Sequence, residues 1–278
     1  RQCGIIGIAS NKPVSINIIN SLKKLEYRGY DSAGIATLKN NLINEKKCSG
    51  RVDELEKILF KSPSDGNIGI GHVRWATHGV PSILNAHPHS SENVSVVHNG
   101  IIENSDELKM ELESKGLKFK SQTDTEVITL LITEALNNNE PLESVFKTLN
   151  KLKGSFALGI IFKDFSDIII GARRGSPLAV GYSNNENYLG SDSYALKSMT
   201  NKISYLDDGE LCVLTKNEVS FYDAKKNKIN KKIHIVSDEE NIADKGDFKN
   251  FMSKEIFEQP ITAKKCVNEY IDLSLIHI

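Results

Sequence analysis

Sulfur is scarce in this chain and scattered along it. The 278 residues hold four cysteines, Cys3, Cys48, Cys212 and Cys266, with no C-x-x-C pair. Neither a disulfide framework nor a cysteine-held zinc is written in that spacing, and a reducing compartment, the cytoplasm, is expected. An excess of one charge is lacking too: 35 Lys and Arg stand against 36 Asp and Glu, a formal net charge of −1. No basic face is evident, which removes the electrostatic case for a nucleic-acid partner. Long apolar runs are missing as well. The run after Cys3 ends at Ser10-Asn11-Lys12, too short and wrongly flanked for a signal peptide or a membrane span, so no membrane partner is expected. Gly69-Ile70-Gly71 is not followed by Lys-Ser or Lys-Thr, so a phosphate-cradling loop has little support. No internal repeat is visible.

What is present is enough apolar residue, 39%, for a large core, and a length that fits one large domain plus an extension. Short β-like runs recur at residues 3–9, 33–38, 68–75, 94–102, 156–162, 168–172, 178–181, 211–214 and 219–222. Between them lie amphipathic stretches. In residues 14–26, Ile18, Ile19, Leu22 and Leu25 share a face; in 104–115, Leu108 and Leu112 do, before Gly116 supplies a stop. A third stretch starts at Thr123, with Glu126 three residues on in a capping-box pattern, and runs to Leu136. Helices in groups, rather than one after each strand, argue for stacked antiparallel sheets with helical layers outside. From about Ser237 the sequence turns polar. The domain boundary is placed there, giving residues 1–240 as the main domain and 241–278 as a linker and the start of a further piece.

Several residues carry chemistry, each with a plainer rival. Cys3, in an apolar run, reads first as a small buried hydrophobe. Its place near the amino terminus changes that, because an α-amine with a pKa of about 7.7–8 can accept a thiol proton directly or through water. Asn99-Gly100, between Ser95-Val96-Val97-His98 and Ile101-Ile102, fits a type I′ hairpin turn, and local sequence favours that turn. The other reading aims the Asn99 amide and the Gly100 N–H together at a developing oxyanion. Arg74, beside Trp75, the one tryptophan, is either a solvated charge or a fork for a carboxylate. Asp124 is either a helix cap or the anion for an ammonium group. His72, His78, His87, His89 and His98 permit a metal site, but H-x-H alone is weak, so no metal is expected and most are read as hydrogen-bonding residues in turns.

Cys3-Gly4-Ile5-Ile6-Gly7, Leu25-Glu26-Tyr27-Arg28-Gly29-Tyr30-Asp31-Ser32-Ala33-Gly34, Arg74-Trp75-Ala76-Thr77-His78-Gly79, Ala86-His87-Pro88-His89 and His98-Asn99-Gly100 together resemble the glutaminase domain of the glutamine:fructose-6-phosphate amidotransferases. Gly154-Ser155-Phe156-Ala157, Arg173 to Leu178 and Ser191-Asp192 extend the likeness, which runs from Cys3 to Pro260. The Tyr27 to Gly34 segment separates this family from amidotransferases serving purine, asparagine or glutamate synthesis. The resemblance implies an α+β fold, the four-layer αββα sandwich of the N-terminal-nucleophile hydrolases. It implies that Cys3 attacks the side-chain amide of L-glutamine, that Asn99 and Gly100 form the oxyanion hole, and that a γ-glutamyl thioester is hydrolysed to glutamate, with ammonia as the useful product and no cofactor. Arg74 and Asp124 match residues holding the glutamine carboxylate and amine. Thr77 and His78 match residues lining the pocket, Trp75 one gating the ammonia passage, His87 one near the pocket, and Arg28 and Gly29 a segment beside the nucleophile.

Three departures accompany the likeness. The isomerase part through which relatives act on fructose 6-phosphate, as homo-oligomers, is missing after residues 254–260, and Leu275-Ile276-His277-Ile278 resembles nothing in the family. Asn250 stands where relatives usually carry His. Arg1-Gln2 precedes the nucleophile, so the working enzyme is expected to start at Cys3. Two alternatives stay open: a module that holds glutamine without cleaving it, and an amidotransferase with another acceptor.

Overall fold

A computed structural model describes residues 3–75 and 79–237. The chain opens with β1 (Gly4–Ser10), α1 (Ser15–Leu25), β2 (Ser32–Lys39), β3 (Leu42–Ser49), α2 (Val52–Lys61) and β4 (Ile68–Arg74). Next come β5 (His89–Ser90) and β6 (Val94–Ile102), then three helices in succession, α3 (Ser105–Ser114), α4 (Thr125–Ala135) and α5 (Pro141–Lys151). The strands β7 (Gly154–Phe162), β8 (Phe165–Arg174), β9 (Ala179–Ser183) and β10 (Glu186–Gly190) follow, then the short α6 (Ser193–Leu196). The last described elements are β11 (Lys202–Tyr205), β12 (Leu211–Leu214), β13 (Val219–Tyr222), β14 (Lys228–Ile229) and β15 (His234–Ile235). The chain divides into two units at Ser237/Asp238, and the piece expected over 241–278 lies outside the described residues.

All strand pairs of the first sheet are antiparallel, in the order β15-β11-β9-β10-β1-β4-β2-β3. The second sheet, β14-β13-β12-β8-β7-β6-β5, is antiparallel too. Strand side chains alternate between faces, and here the alternation sorts residues into three cores. Ile5, Ala9, Ile70 and Ala36 from the first sheet pack with Val97, Ala157, Ile161 and Ile169 from the second, so these are the facing surfaces. Ile6, Ile8 and Val73 point the other way, onto Ile18, Leu22 and Leu25 of α1, Leu55 of α2 and Leu196 of α6. Val94, Val96, Leu158 and Ile160 point onto Leu108 and Leu112 of α3, Ile128 and Ile132 of α4, and Val145 of α5. The result is a four-layer αββα sandwich, the architecture the sequence implies. Because both faces of each sheet are covered, β1 and β4 read as continuous apolar runs rather than as alternating ones.

Two local expectations fail. Asn99-Gly100 is not a hairpin turn: both residues lie inside β6, opposite Ala157 and Phe156 of β7. Nor does Thr123 open a capping box. The Glu126 carboxylate instead accepts the backbone N–H groups of Lys120 and Ser121 at 2.8 and 2.7 Å, and the Thr123 hydroxyl pairs with His89 Nε2 at 2.8 Å. Helix α4 therefore starts at Thr125, after Asp124.

Candidate active site

The alternation that sorts the cores also builds the site. Counting in twos from Ile5, Ile70 and Val97, which face the second sheet or the first, puts Cys3, His72, Arg74 and Asn99 in the layer between the sheets. Strand register brings them to one end: Gly4 pairs with Val73 and Ile5 with His72. Cys3 therefore meets the end of β4, where the Trp75 N–H donates to Cys3 Sγ at 3.2 Å. A cavity of about 230 Å³ opens there, lined by Cys3, Arg74, Trp75, Asn99, Gly100 and Asp124 among others.

Cys3 is half-buried. Burial pushes its thiol up, and the Trp75 N–H offsets only part of that. The sulfur is thus protonated near neutral pH, and nucleophilic attack requires a proton acceptor. Asn99 is oriented by three neighbours. Its Nδ2 donates to the Cys3 carbonyl oxygen at 2.7 Å and to Ser191 Oγ at 3.3 Å, while Oδ1 lies 3.1 Å from His72 Nε2. Both amide protons are engaged in this state. Gly100 has φ +122°, and a Cβ there would sit 2.2 Å from the Ser155 carbonyl oxygen. Only glycine fits this residue of the strand.

Arg74 is not a solvated charge: it is 3% exposed, and its guanidinium donates to the Gly79 carbonyl at 3.2 Å and reaches that of Val80 at 3.5 Å. Asp124 does not cap α4 through its side chain. Its Oδ2 accepts the Ile102 N–H at 2.8 Å, and Oδ1 lies 3.9 Å from His98 Nδ1. Among the described residues, His72, His89 and His98 sit not in turns but on β4, β5 and β6, and with His87, from the segment before β5, they form a buried layer. His72 stacks on His87 at 4.1 Å. The His98 N–H points at His87 Nδ1, 3.4 Å away, and the Thr125 hydroxyl lies 3.4 Å from His87 Nε2. Burial pushes His72, His87 and His89 down, His72 to about 3. These rings are neutral near pH 7, so they give the layer beside the site hydrogen-bonding groups and add no charge; of the three, His87 reaches the cavity wall.

The residues from β4 to α6, 72–198, match the family model of the glutamine amidotransferase domain. A glutamine–fructose-6-phosphate aminotransferase (isomerizing) of Bradyrhizobium diazoefficiens is 46% identical over 98% of this chain. One of Brucella suis is 47% identical, also over 98%. The chain belongs to the glutamine amidotransferases. It spans 45% of the length of each of those relatives. Among solved structures, a glutamine phosphoribosylpyrophosphate amidotransferase of B. subtilis superposes with a TM-score of 0.70 at 26% identity, covering 81% of this chain and 50% of that one. A glutamine aminotransferase class-II domain protein of Silicibacter pomeroyi, 12% identical with a TM-score of 0.57 over 80% of this chain and 99% of its own, shares the fold.

In this amidotransferase domain the structure gathers Cys3, Arg74, Trp75, His87, Asn99, Gly100 and Asp124 around one cavity. Thr77 and His78 lie outside the described residues. Arg28 does not line the cavity: it pairs with Asp192 and its Nε donates to the Tyr27 hydroxyl at 3.1 Å. Gly29 packs under the end of β4, where a Cβ would meet the Arg74 carbonyl oxygen at 2.5 Å. Trp75 sets its ring edge-on to Tyr30, centroids 5.9 Å apart. Sequence reasoning missed Ser191 and Thr125 and gave His72 no role of its own. The signal for His72 was available, since it is two residues from Ile70 on the same face of β4.

Proposed function

We propose that this chain is the glutaminase part of a glutamine–fructose-6-phosphate aminotransferase, releasing glutamate and ammonia from L-glutamine through a Cys3 thioester. The observation that carries the reading is the convergence of a nucleophile, a guanidinium and a carboxylate on one small cavity, in a chain 46% identical to an enzyme so named. At about 230 Å³ the cavity falls below the roughly 300–1,000 Å³ of sites for drug-sized ligands, which suits a free amino acid. Arg74 takes the substrate carboxylate, exchanging its bonds to the Gly79 and Val80 carbonyls for a charge-assisted pair. Asp124 takes the ammonium group.

The Cys3 sulfur then attacks the amide carbon while its proton passes to a base, which is the Cys3 α-amine in a chain that begins there. The oxyanion is met by the Gly100 N–H and by Asn99 once its amide releases one of its present acceptors. Collapse of the tetrahedral species expels ammonia, the nitrogen taking up a proton as it leaves. Water attacks the thioester carbonyl, and glutamate departs with the thiol restored. Thr77 and His78 are assigned to the pocket, Trp75 to gating the ammonia path, His87, Arg28 and Gly29 to support of the site. Fructose 6-phosphate enters only through a second part of the protein, joined after residue 240, in a cytoplasmic homo-oligomer. Among the described residues no helix is long and apolar enough to cross a membrane. One observation favours the rival reading of a silent glutamine-binding module: both Asn99 amide protons are already engaged.

A glutamine analogue bearing an electrophilic diazoketone tests the nucleophile. It is expected to label Cys3 and to leave Cys48 and Cys212 untouched, and Cys3→Ala is expected to keep the fold while losing glutamate release. Labelling of Cys48 or Cys212 with Cys3 left free, or glutamine bound without glutamate formed, would remove the assignment.

A further inference from the structure

The Asn99 amide is fixed independently from both ends. The atom 2.7 Å from the Cys3 carbonyl oxygen must be the amide nitrogen, because a carbonyl oxygen only accepts. At the other end, His72 Nε2 lies 3.0 Å from the His98 carbonyl oxygen, again an acceptor, so Nε2 carries the ring proton. That same N–H faces Asn99 Oδ1 at 3.1 Å, and the two assignments agree. Ser191 completes the set: its Oγ accepts from Ile5 N at 2.5 Å and from Asn99 Nδ2, and its own proton points at the Ile5 carbonyl, 3.4 Å away.

His72 is fully buried, stacked on His87 with ring planes 10° apart, and its Nδ1 has no hydrogen-bond partner among the described residues. An imidazole with one nitrogen unused is a poor choice for core filling, because an unpaired buried polar atom costs stability that an apolar side chain would not. What the position gains is the Nε2–H. His72 does not line the cavity, so it cannot act on substrate directly.

We propose that His72 is a positioning residue for glutamine cleavage: its Nε2–H, shared between the His98 carbonyl and Asn99 Oδ1, keeps the Asn99 amide nitrogen toward Cys3 and so sets which atom meets the oxyanion. This rests on the glutaminase reading. With His72 removed, the amide is held only at its nitrogen end, by the Cys3 carbonyl and Ser191, and nothing keeps its orientation once one of those acceptors is released to meet the oxyanion. The effect belongs to the transition state rather than to substrate binding.

The test is steady-state glutamate release by the protein beginning at Cys3 and by its variants. His72→Leu is expected to lower kcat about 10²-fold, the size of losing one oxyanion donor, with KM nearly unchanged. His72→Gln, whose amide N–H can reach the place of Nε2–H, is expected to recover most of that loss. Alkylation of Cys3 by iodoacetamide, which needs no oxyanion donor, should proceed at the wild-type rate in both. If His72→Leu keeps the wild-type kcat, or if His72→Gln falls as far as His72→Leu while both melt like wild type, the proposal is overturned. A second measurement is independent of turnover: the imidazole ¹⁵N shifts of His72 should report the Nε2–H tautomer throughout about pH 5–8. The Nδ1–H tautomer would overturn the proposal with turnover intact, whereas absence of glutamate from the wild-type chain with the tautomer as assigned would remove the glutaminase reading and, with it, the catalytic part of this one.

Discussion

A thiol raised by burial, as that of Cys3 is, stays protonated at neutral pH and reacts faster as pH rises toward its own value. Iodoacetamide should therefore alkylate Cys3 more slowly at about pH 7 than an ordinary thiol of pKa about 8.5, with the rate still climbing above about pH 9. A plateau below pH 8 would mean that the Trp75 N–H and the Arg74 charge lower the thiol by more than burial raises it. Arg74 and Asp124 act, in the proposed mechanism, on ends of glutamine that do not change during the reaction. Arg74→Ala and Asp124→Asn are expected to raise KM more than they lower kcat, as loss of uniform binding does. Asn at 124 can still accept the Ile102 N–H that Asp124 Oδ2 holds now, so strand β6 should keep its place. Steady-state kinetics of the two variants with unchanged KM would mean that glutamine is held by other residues. The sequence showed these side chains more plainly than it showed their surroundings. Cys3, Arg74 and Asn99 stand at even spacings from core residues of their strands, so their common face could be counted. The misreading of Asn99-Gly100 came from local chemistry: the pair favours a turn, and nothing nearby in sequence reveals that β7 will pair across it.

Elements were legible wherever burial on both faces made them apolar. Strands β1, β4 and β6 stood out for that reason, and helices α1, α3 and α4 showed their stripes. Helices α2 and α5 were missed because each buries only part of its surface within a charged sequence: Val52 and Leu55 in α2, Val145 and Phe146 in α5. The glycine of β2 was quoted as part of a family motif, and only the structure supplies its reason. Gly34 pairs with His72, and a Cβ there would lie 1.9 Å from the His87 carbonyl oxygen and 3.0 Å from Pro88 Cδ. Backbone cannot yield as a side-chain tip does. Gly34→Ala is thus expected to cost about 1–3 kcal/mol or more, read as a lower urea midpoint with an unchanged slope. Because the displaced segment carries His87 away from His72, glutamate release should fall as well. An unchanged midpoint would show that the His87–Pro88 segment is free to move.

For the molecule as a whole, the buried histidines predict how it meets acid. His72, His87 and His89 all have folded-state values below the ordinary 6.5. At higher pH the rings are neutral both folded and unfolded and add nothing to the pH dependence. Below about 6.5 the unfolded chain takes up protons that the folded chain refuses, so stability falls as pH falls, for His72 until about 3. Each ring contributes about 1.4 kcal/mol per pH unit within its window, about 4 kcal/mol per unit for the three together. Calorimetry should show Tm dropping steeply between pH 6 and 5, and His72→Gln should reduce that slope by about a third. An equal slope in the variant would mean that His72 is already protonated in the folded protein. That layer could not be read in the sequence, where most of these histidines read as hydrogen-bonding residues in turns. Their burial depends on two sheets closing over them, a fact of tertiary structure.

The strand that carries the nucleophile, β1, runs between β10 and β4, with partners on both sides of Ile6, Gly7, Ile8 and Ala9 and three further strands beyond it toward one edge of the sheet. Amides in such a strand exchange with solvent only when the whole domain opens. Hydrogen exchange through β1 should therefore be among the slowest in the protein, and equally slow whether the sulfur is free or acylated. Cys3 sits one residue from that slow segment, so the backbone beneath the sulfur has almost no freedom to follow the chemistry. Approach, closure and departure are left to the substrate and to the segments facing it, and exchange differences between free and acylated protein should appear there while β1 stays silent.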